Sequence, residues 1–173
     1  MLSLRPTASE FAPFYAGYVA LVPDAGWLER LHGQPDQFRA LLSGYDPDRA
    51  MLPTAPGKWS LLEILAHIAD TERVFAFRLL WFARGDASEL PGFDQDAWVA
   101  SSHANRRTIE QALDDLAAVR DATLTLLETI ADDLAERTGV ANGQPVTVRA
   151  LAWIIAGHTQ HHLDGLRTVT RAG

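Results

Sequence analysis

Residues 58–80 read KWSLLEILAHIADTERVFAFRLL, and the fold follows from how that stretch is read. Ser60 and Glu63 have the S-x-x-E spacing of a capping box, in which each side chain satisfies a free backbone N–H at the start of a helix. An apolar run begins directly behind the box. Leu61, Ile64, Leu65, Ile68, Phe75, Leu79 and Phe82 recur on one side, as in an α-helix with one buried face. The stretch predicts a long amphipathic helix ending at about residue 84. A stripe of this kind must be covered by other stripes.

Three further segments supply them. Gly26 to Leu42 places Leu28, Leu31, Phe38, Leu41 and Leu42 at helical spacing. Pro35 is expected to kink or break that helix, because proline has no N–H for the helical ladder. Thr108 and Gln111 form a second capping box, ahead of Ile109, Leu113, Leu116, Thr123, Leu127 and Ile130. Thr147 caps a last helix expected to run to about Val169. TGVANGQPVT before it is a turn-rich connection containing Asn142-Gly143, and no strand pattern stands out. Four amphipathic helices burying their stripes against one another give an all-α fold, a four-helix bundle. The connection from Gly85 to Arg107, with LPGFDQDAW in its middle, would be its long crossover loop between the second and third helices. It is long for a structureless segment, so a short helix or a functional role is expected there. Residues 1–173 read as a single domain, with 1–23 an aromatic extension packed on the bundle and EFAPFYAGYVALVPD holding a short helix.

Composition narrows the function. The chain has 173 residues, 47% hydrophobic and 21% charged, with a formal net charge of −7. A nucleic-acid surface needs a basic excess, so nucleic acid is not expected as a partner. The absence of cysteine removes disulfides, thiolate ligands and a cysteine nucleophile together. MLSLRPTASEF does not read as a signal peptide, and no apolar run reaches the roughly 18 residues a membrane span needs. The expectation is a cytoplasmic protein with no membrane partner.

The histidines carry the functional signal. Three of the six fall in HTQHHLDG, residues 158–165. At about 100° per residue, with His158 at zero, Leu151 lies at about +20°, Ile154 at about −40°, Ile155 at about +60° and His162 at about +40°. His158 and His162 therefore stand in the middle of the apolar stripe. His161, at about −60°, is at its edge. Two stacked imidazoles in a core need partners for every ring nitrogen, and cannot both charge cheaply there. A divalent cation held by neutral rings at i, i+4 resolves this. The alternative is a pair of core histidines bonded to carbonyls or carboxylates. His67, on the edge of the second helix's stripe, is the candidate third ligand. Its alternative is an ordinary pairing with Glu63 at i, i+4.

KWSLLEILAHIADTERVFAFRLL, then ARGDASELPGFDQDAW, then NGQPVTVRALAWIIAGHTQHHLDGL, resemble in order the DinB/YfiT-like superfamily of small bacterial metal-binding proteins, from about EFAPFYAGY onward. The resemblance implies a four-helix bundle holding a divalent metal, zinc or nickel, on three histidines. One comes from the second helix and two from an H-x-x-x-H on the last; His67, His158 and His162 match those positions. His161 matches an extra histidine that is not a ligand. The resemblance also implies chemistry on a small-molecule substrate. Several such proteins transfer a low-molecular-weight thiol such as bacillithiol or mycothiol, one relative is a thiol-dependent isomerase, and others are metal-dependent hydrolases. Dimers are frequent in the family. A homodimer is therefore expected, with Phe11, Phe14, Tyr15 and Tyr18 at its interface or covering the site.

A tri-histidine ion with an open position can activate a water or a thiol. Without cysteine in the chain, a thiol would have to arrive with the substrate. His161, Asp70 and Arg120 are the catalytic candidates, and Glu63 is a further carboxylate near the site. Arg120 sits at about +20° from Ile109, on the core stripe of its helix. It could hold a substrate's acidic group, or form a structural ion pair with Asp70 or Glu72. Trp81, Trp98 and Trp153 read as core or rim aromatics, and His32 and His103 as surface residues. Asp94 and Asp96 read as a solvated loop, with a second cation site as the alternative. A metal-dependent thiol transferase or hydrolase is the reading that follows. A non-catalytic metal or small-ligand binder, such as a stress-response module, stands against it, as does a structural bundle whose histidines are empty.

Overall fold

The computed structural model describes residues 1–86 and 88–171. Among them, helices α1 (Ala16–Ala20), α2 (Trp27–Leu42), α3 (Pro47–Ala50), α4 (Leu61–Ala83), α5 (Gln95–Ser102), α6 (Ile109–Glu128) and α7 (Val148–Arg171) follow in that order, with strands β1 (Thr138–Ala141) and β2 (Gln144–Thr147) between α6 and α7. The long helices α2, α4, α6 and α7 form a four-helix bundle in which α4 packs on α6 and α7, and α2 packs on the same two. The connection from α4 to α6 carries the expected short helix, α5.

Both capping boxes form as read. Ser60 Oγ accepts from Glu63 N at 3.1 Å while Glu63 Oε2 accepts from Ser60 N at 2.8 Å. Thr108 and Gln111 do the same at 3.1 and 2.9 Å. Thr147 caps α7 through Ala150 N at 3.0 Å.

Two expectations are corrected. Pro35 does not break α2, which runs through it. The carbonyl that loses its helical partner is that of Leu31, four residues earlier. The Arg120 guanidinium, arriving from α6, donates to it instead. The segment before α7 is also a β-hairpin rather than a plain loop, pairing Thr138 with Thr147 and Ala141 with Gln144. Its turn puts Asn142 at φ 54° and Gly143 at φ 70°, the two left-handed positions that an Asn-Gly hairpin turn requires. Four-residue strands are too short to show a period of two, so only the turn was visible in the sequence.

The core falls into two apolar clusters. One gathers Phe75, Leu79, Phe82 and the Leu151–Ala156 turns of α7; the other gathers Leu61, Leu65, Ile68, Leu116, Leu163 and Leu166. Between them lie buried polar groups from all four long helices: Gln34, Glu72, Arg120 and Thr159. No helix among the described residues is long and apolar enough to cross a membrane.

Candidate metal centre

His67 and His158 face each other across the α4–α7 contact, and His162 stands one turn further along α7. The Nε2 atoms converge: His158 Nε2 is 3.0 Å from His67 Nε2 and 3.1 Å from His162 Nε2. One ligating nitrogen from each ring lies within 4.8 Å of the others. A single N–H on His158 Nε2 can serve only one of its two neighbours, so hydrogen bonding alone leaves this trio short of donors. Three nitrogen lone pairs aimed at one point are what a divalent cation takes up, so the donor set fits a metal ion.

The electrostatics agree with that fit. Burial pushes the His67 pKa down to about 4, with the Asp96 carboxylate partly opposing it. Burial, helped by the neighbouring His67 and His161, brings His162 to about 3. His158 is held well below the ordinary imidazole range by burial and by the three histidines around it. Neutral rings at physiological pH are the protonation state that a metal ligand needs.

The surrounding elements fix the rings. The Trp59 ring lies 4.7 Å from that of His67, and Thr71 Oγ1 is 3.4 Å from His67 Nδ1. From the other side, α1 brings the Tyr18 ring to 5.4 Å from both His158 and His161. That approach depends on Gly157. A Cβ there would sit 2.0 Å from the Tyr18 carbonyl oxygen, too close for any other residue without moving α1. The Tyr18 hydroxyl, its pKa raised by burial and by Tyr15, stays protonated as a potential donor.

Cavities open on both sides of the cluster. One of about 300 Å³ is lined by His158, Tyr15, Tyr18, Phe75, Arg78 and Phe93, among others. The second, of about 380 Å³, is lined by His161 and His162 with Lys58, Trp59 and Asp96.

His161 is exposed at the rim, its ring 5.1 Å from that of His162. Asp70 is bound by Arg73 at 3.1 Å. Glu63 is engaged by its cap and by Asn105 Nδ2 at 3.2 Å, so it does not pair with His67. Arg120 is 1% exposed and pairs with Glu72 through two bonds of 2.8 and 2.7 Å. Asp94 caps α5 by accepting from Asp96 N and Ala97 N. Trp153 is buried against Trp27, ring centroids 6.0 Å apart, whereas Trp98 is exposed. His32 and His103 are on the surface.

The DinB superfamily model matches residues 30–164, which contain all three converging histidines. The chain belongs to the DinB superfamily. It is similar to proteins of Geobacillus thermodenitrificans (24% identical, covering 79% of this chain and 78% of that one) and Geobacillus kaustophilus (26% identical, 79% and 78%). Both are provisionally named metal-dependent hydrolases. Its fold superposes on YfiT from Bacillus subtilis with a TM-score of 0.76 at 16% identity, over 99% of this chain and 97% of that one. That protein is described as a probable metal-dependent hydrolase with an unusual four-helix bundle topology.

Sequence reasoning left several site residues unassigned. Asp96, in a stretch that reads in sequence as a solvated loop, faces the histidines from α5. Arg78 went unremarked, although it sits at about +20° from His67 on the same helix face. That angle was available from the sequence.

Proposed function

We propose that this DinB-superfamily protein is a divalent-metal-dependent enzyme with His67, His158 and His162 as its ligands. The observation that carries the reading is the convergence of three neutral Nε2 atoms at 3.0 and 3.1 Å, beside a cavity. A bound divalent ion would supply Lewis acidity, lowering the pKa of a water or thiol near neutral pH. Imidazole ligands suit zinc and nickel alike. The chain's own residues do the rest. Tyr18 offers a hydroxyl donor beside His158, His161 is placed at the rim to exchange protons with solvent, and the aromatic walls exclude water from one side.

Two nucleophiles compete. The relatives' names favour water and hydrolysis. The two cavities favour a low-molecular-weight thiol as co-substrate, because a transfer reaction needs room for two molecules and hydrolysis for one. The charged cavity with Lys58 and Asp96 suits a polar thiol, and the aromatic one an electrophile. The same proposal places the enzyme in the cytoplasm, where such thiols are kept reduced. It also makes the enzyme a homodimer, using the 76% exposed Phe14 beside Tyr15 and Tyr18.

A panel separates the readings. Metal-loaded and metal-free protein are assayed with bacillithiol, mycothiol, glutathione and coenzyme A against monochlorobimane, and with ester and amide substrates alone. Metal-dependent conjugation supports the transferase, and thiol-independent cleavage supports the hydrolase. Silence in both arms would leave a metal- or ligand-binding module.

A further inference from the structure

Arg78 is buried, 4% exposed, and among the described residues no carboxylate lies in ion-pair range of it. The other two arginines buried to this degree differ. Arg120 is paired with Glu72 at 2.7 Å, and Arg149 with Glu10 at 2.7 Å. Arg78 is instead held by neutral groups. Its Nη2 donates to the Pro91 carbonyl at 2.7 Å, Tyr15 lines the same cavity, and its guanidinium carbon lies 5.8 Å from the Phe75 ring centroid. These contacts orient the guanidinium without neutralising it. Burial pulls its pKa down from the ordinary value, but a guanidinium remains charged at neutral pH. A buried cation without a counter-charge is costly, and such groups belong to sites that a charged ligand completes.

The position of the charge points to that ligand. Arg78 lines the cavity that ends at His158. The Phe75 ring neighbours both, 5.8 Å from the guanidinium and 6.2 Å from the His158 ring. The wall opposite is pinned, with Leu90 N donating to Val140 O at 3.0 Å and Asn142 N to Leu90 O at 2.9 Å. Gly92 allows the Asn142 side chain to approach within 2.1 Å of where a Cβ would stand. At about 300 Å³ the space suits a small molecule.

We propose that Arg78 is the substrate-recognition residue of this cavity, binding the carboxylate of a small acid that the aromatic walls flank and whose reacting group then lies at His158. Among the described residues Arg78 is the one Lys or Arg lining the cavity, and its planar fork matches a carboxylate, whereas a phosphate dianion would call for a second cation. The assignment rests on the reading of the histidine cluster as the reaction centre, since it names the substrate class of that site.

The test is a ligand-observed NMR titration of metal-loaded protein with benzoate, its neutral isostere benzamide, and phenyl phosphate. Benzoate should bind more tightly than either. Arg78→Gln should weaken benzoate at least about tenfold, the loss of one charge-assisted bond, and leave benzamide and metal content unchanged. Arg78→Lys, which keeps the charge, should fall between and serves if the glutamine variant does not fold. The melting temperature of Arg78→Gln should fall little, because no counter-charge is orphaned and only the Pro91 carbonyl loses a donor. Repeating the titration with metal-free His67→Ala/His158→Ala protein separates the two readings: benzoate binding that survives there belongs to Arg78 whatever the histidines hold. Benzoate binding that is lost with the metal but kept in Arg78→Gln overturns the proposal. So do tighter binding of phenyl phosphate and equal weakening of benzamide.

Discussion

Two polar groups of similar size sit inside this bundle, and they are built on opposite principles. Around Arg120 every donor is met. Glu72 takes two bonds, Gln34 Oε1 accepts at 2.9 Å, Thr159 Oγ1 at 3.1 Å, and the Leu31 carbonyl freed by Pro35 completes the set. Around His158, one residue before Thr159 on α7, three imidazoles face one another, and among the described residues none of them forms an ion pair, Asp96 acting on His67 only through its field. A satisfied network locks four helices into register. An unsatisfied one is retained because something else completes it.

The contrast can be broken most forcefully at Arg120. Arg120→Met should cost about 3–5 kcal/mol in denaturant unfolding, because it strands Glu72 in the core. Glu72→Leu/Arg120→Met should recover most of that loss. A single variant as stable as the wild type would mean that the network is not structural.

Acid should strike the other region. Above about pH 7.5 the three rings are neutral in both folded and unfolded chains, so they contribute no pH dependence. Below it the unfolded chain takes up protons that the folded chain refuses. Stability of the metal-free protein should therefore fall as the pH drops from 6.5 toward the folded values of about 4 for His67 and about 3 for His162. Each ring adds up to about 1.4 kcal/mol per pH unit. A flat stability profile between pH 6.5 and 5 would show that these rings are not held neutral.

The histidine face was legible because helical periodicity reports which side chains share a stripe, and the capping boxes fixed where α4 and α6 begin. The tolerance of Pro35 was not legible. It depends on a guanidinium from a helix about 85 residues further along the chain, and no local rule carries that information. The hairpin was too short to show alternation. The wall that α1 forms beside His158 depends on a backbone approach permitted by Gly157, which the sequence records only as one glycine in a helix. Arg78 was legible in angle, but its lack of an acid partner is a tertiary fact.

A finer comparison replaces a ring without stranding a charge. His158→Leu in metal-free protein should change stability by less than about 1.5 kcal/mol, since an unsatisfied polar group gives way to an apolar one of similar volume. The same denaturant unfolding that reports a large loss for Arg120→Met should barely move here. A loss as large as that of Arg120→Met would make the histidines a structural knot. The smallest effect belongs to the rim: His161→Ala should stay within about 0.5 kcal/mol of the wild type and keep its metal.

The central claim is that His67, His158 and His162 hold one divalent ion. Calorimetric titration of metal-free protein with zinc and with nickel, followed by elemental analysis after dialysis, tests it directly. The account predicts one ion per chain, bound between about pH 5 and 7 without proton release from the three rings because they are already neutral, with binding abolished in His158→Leu and His67→Ala and preserved in His161→Ala. Binding that persists in His158→Leu, or no stoichiometric binding of any divalent ion by the wild-type chain, would contradict it.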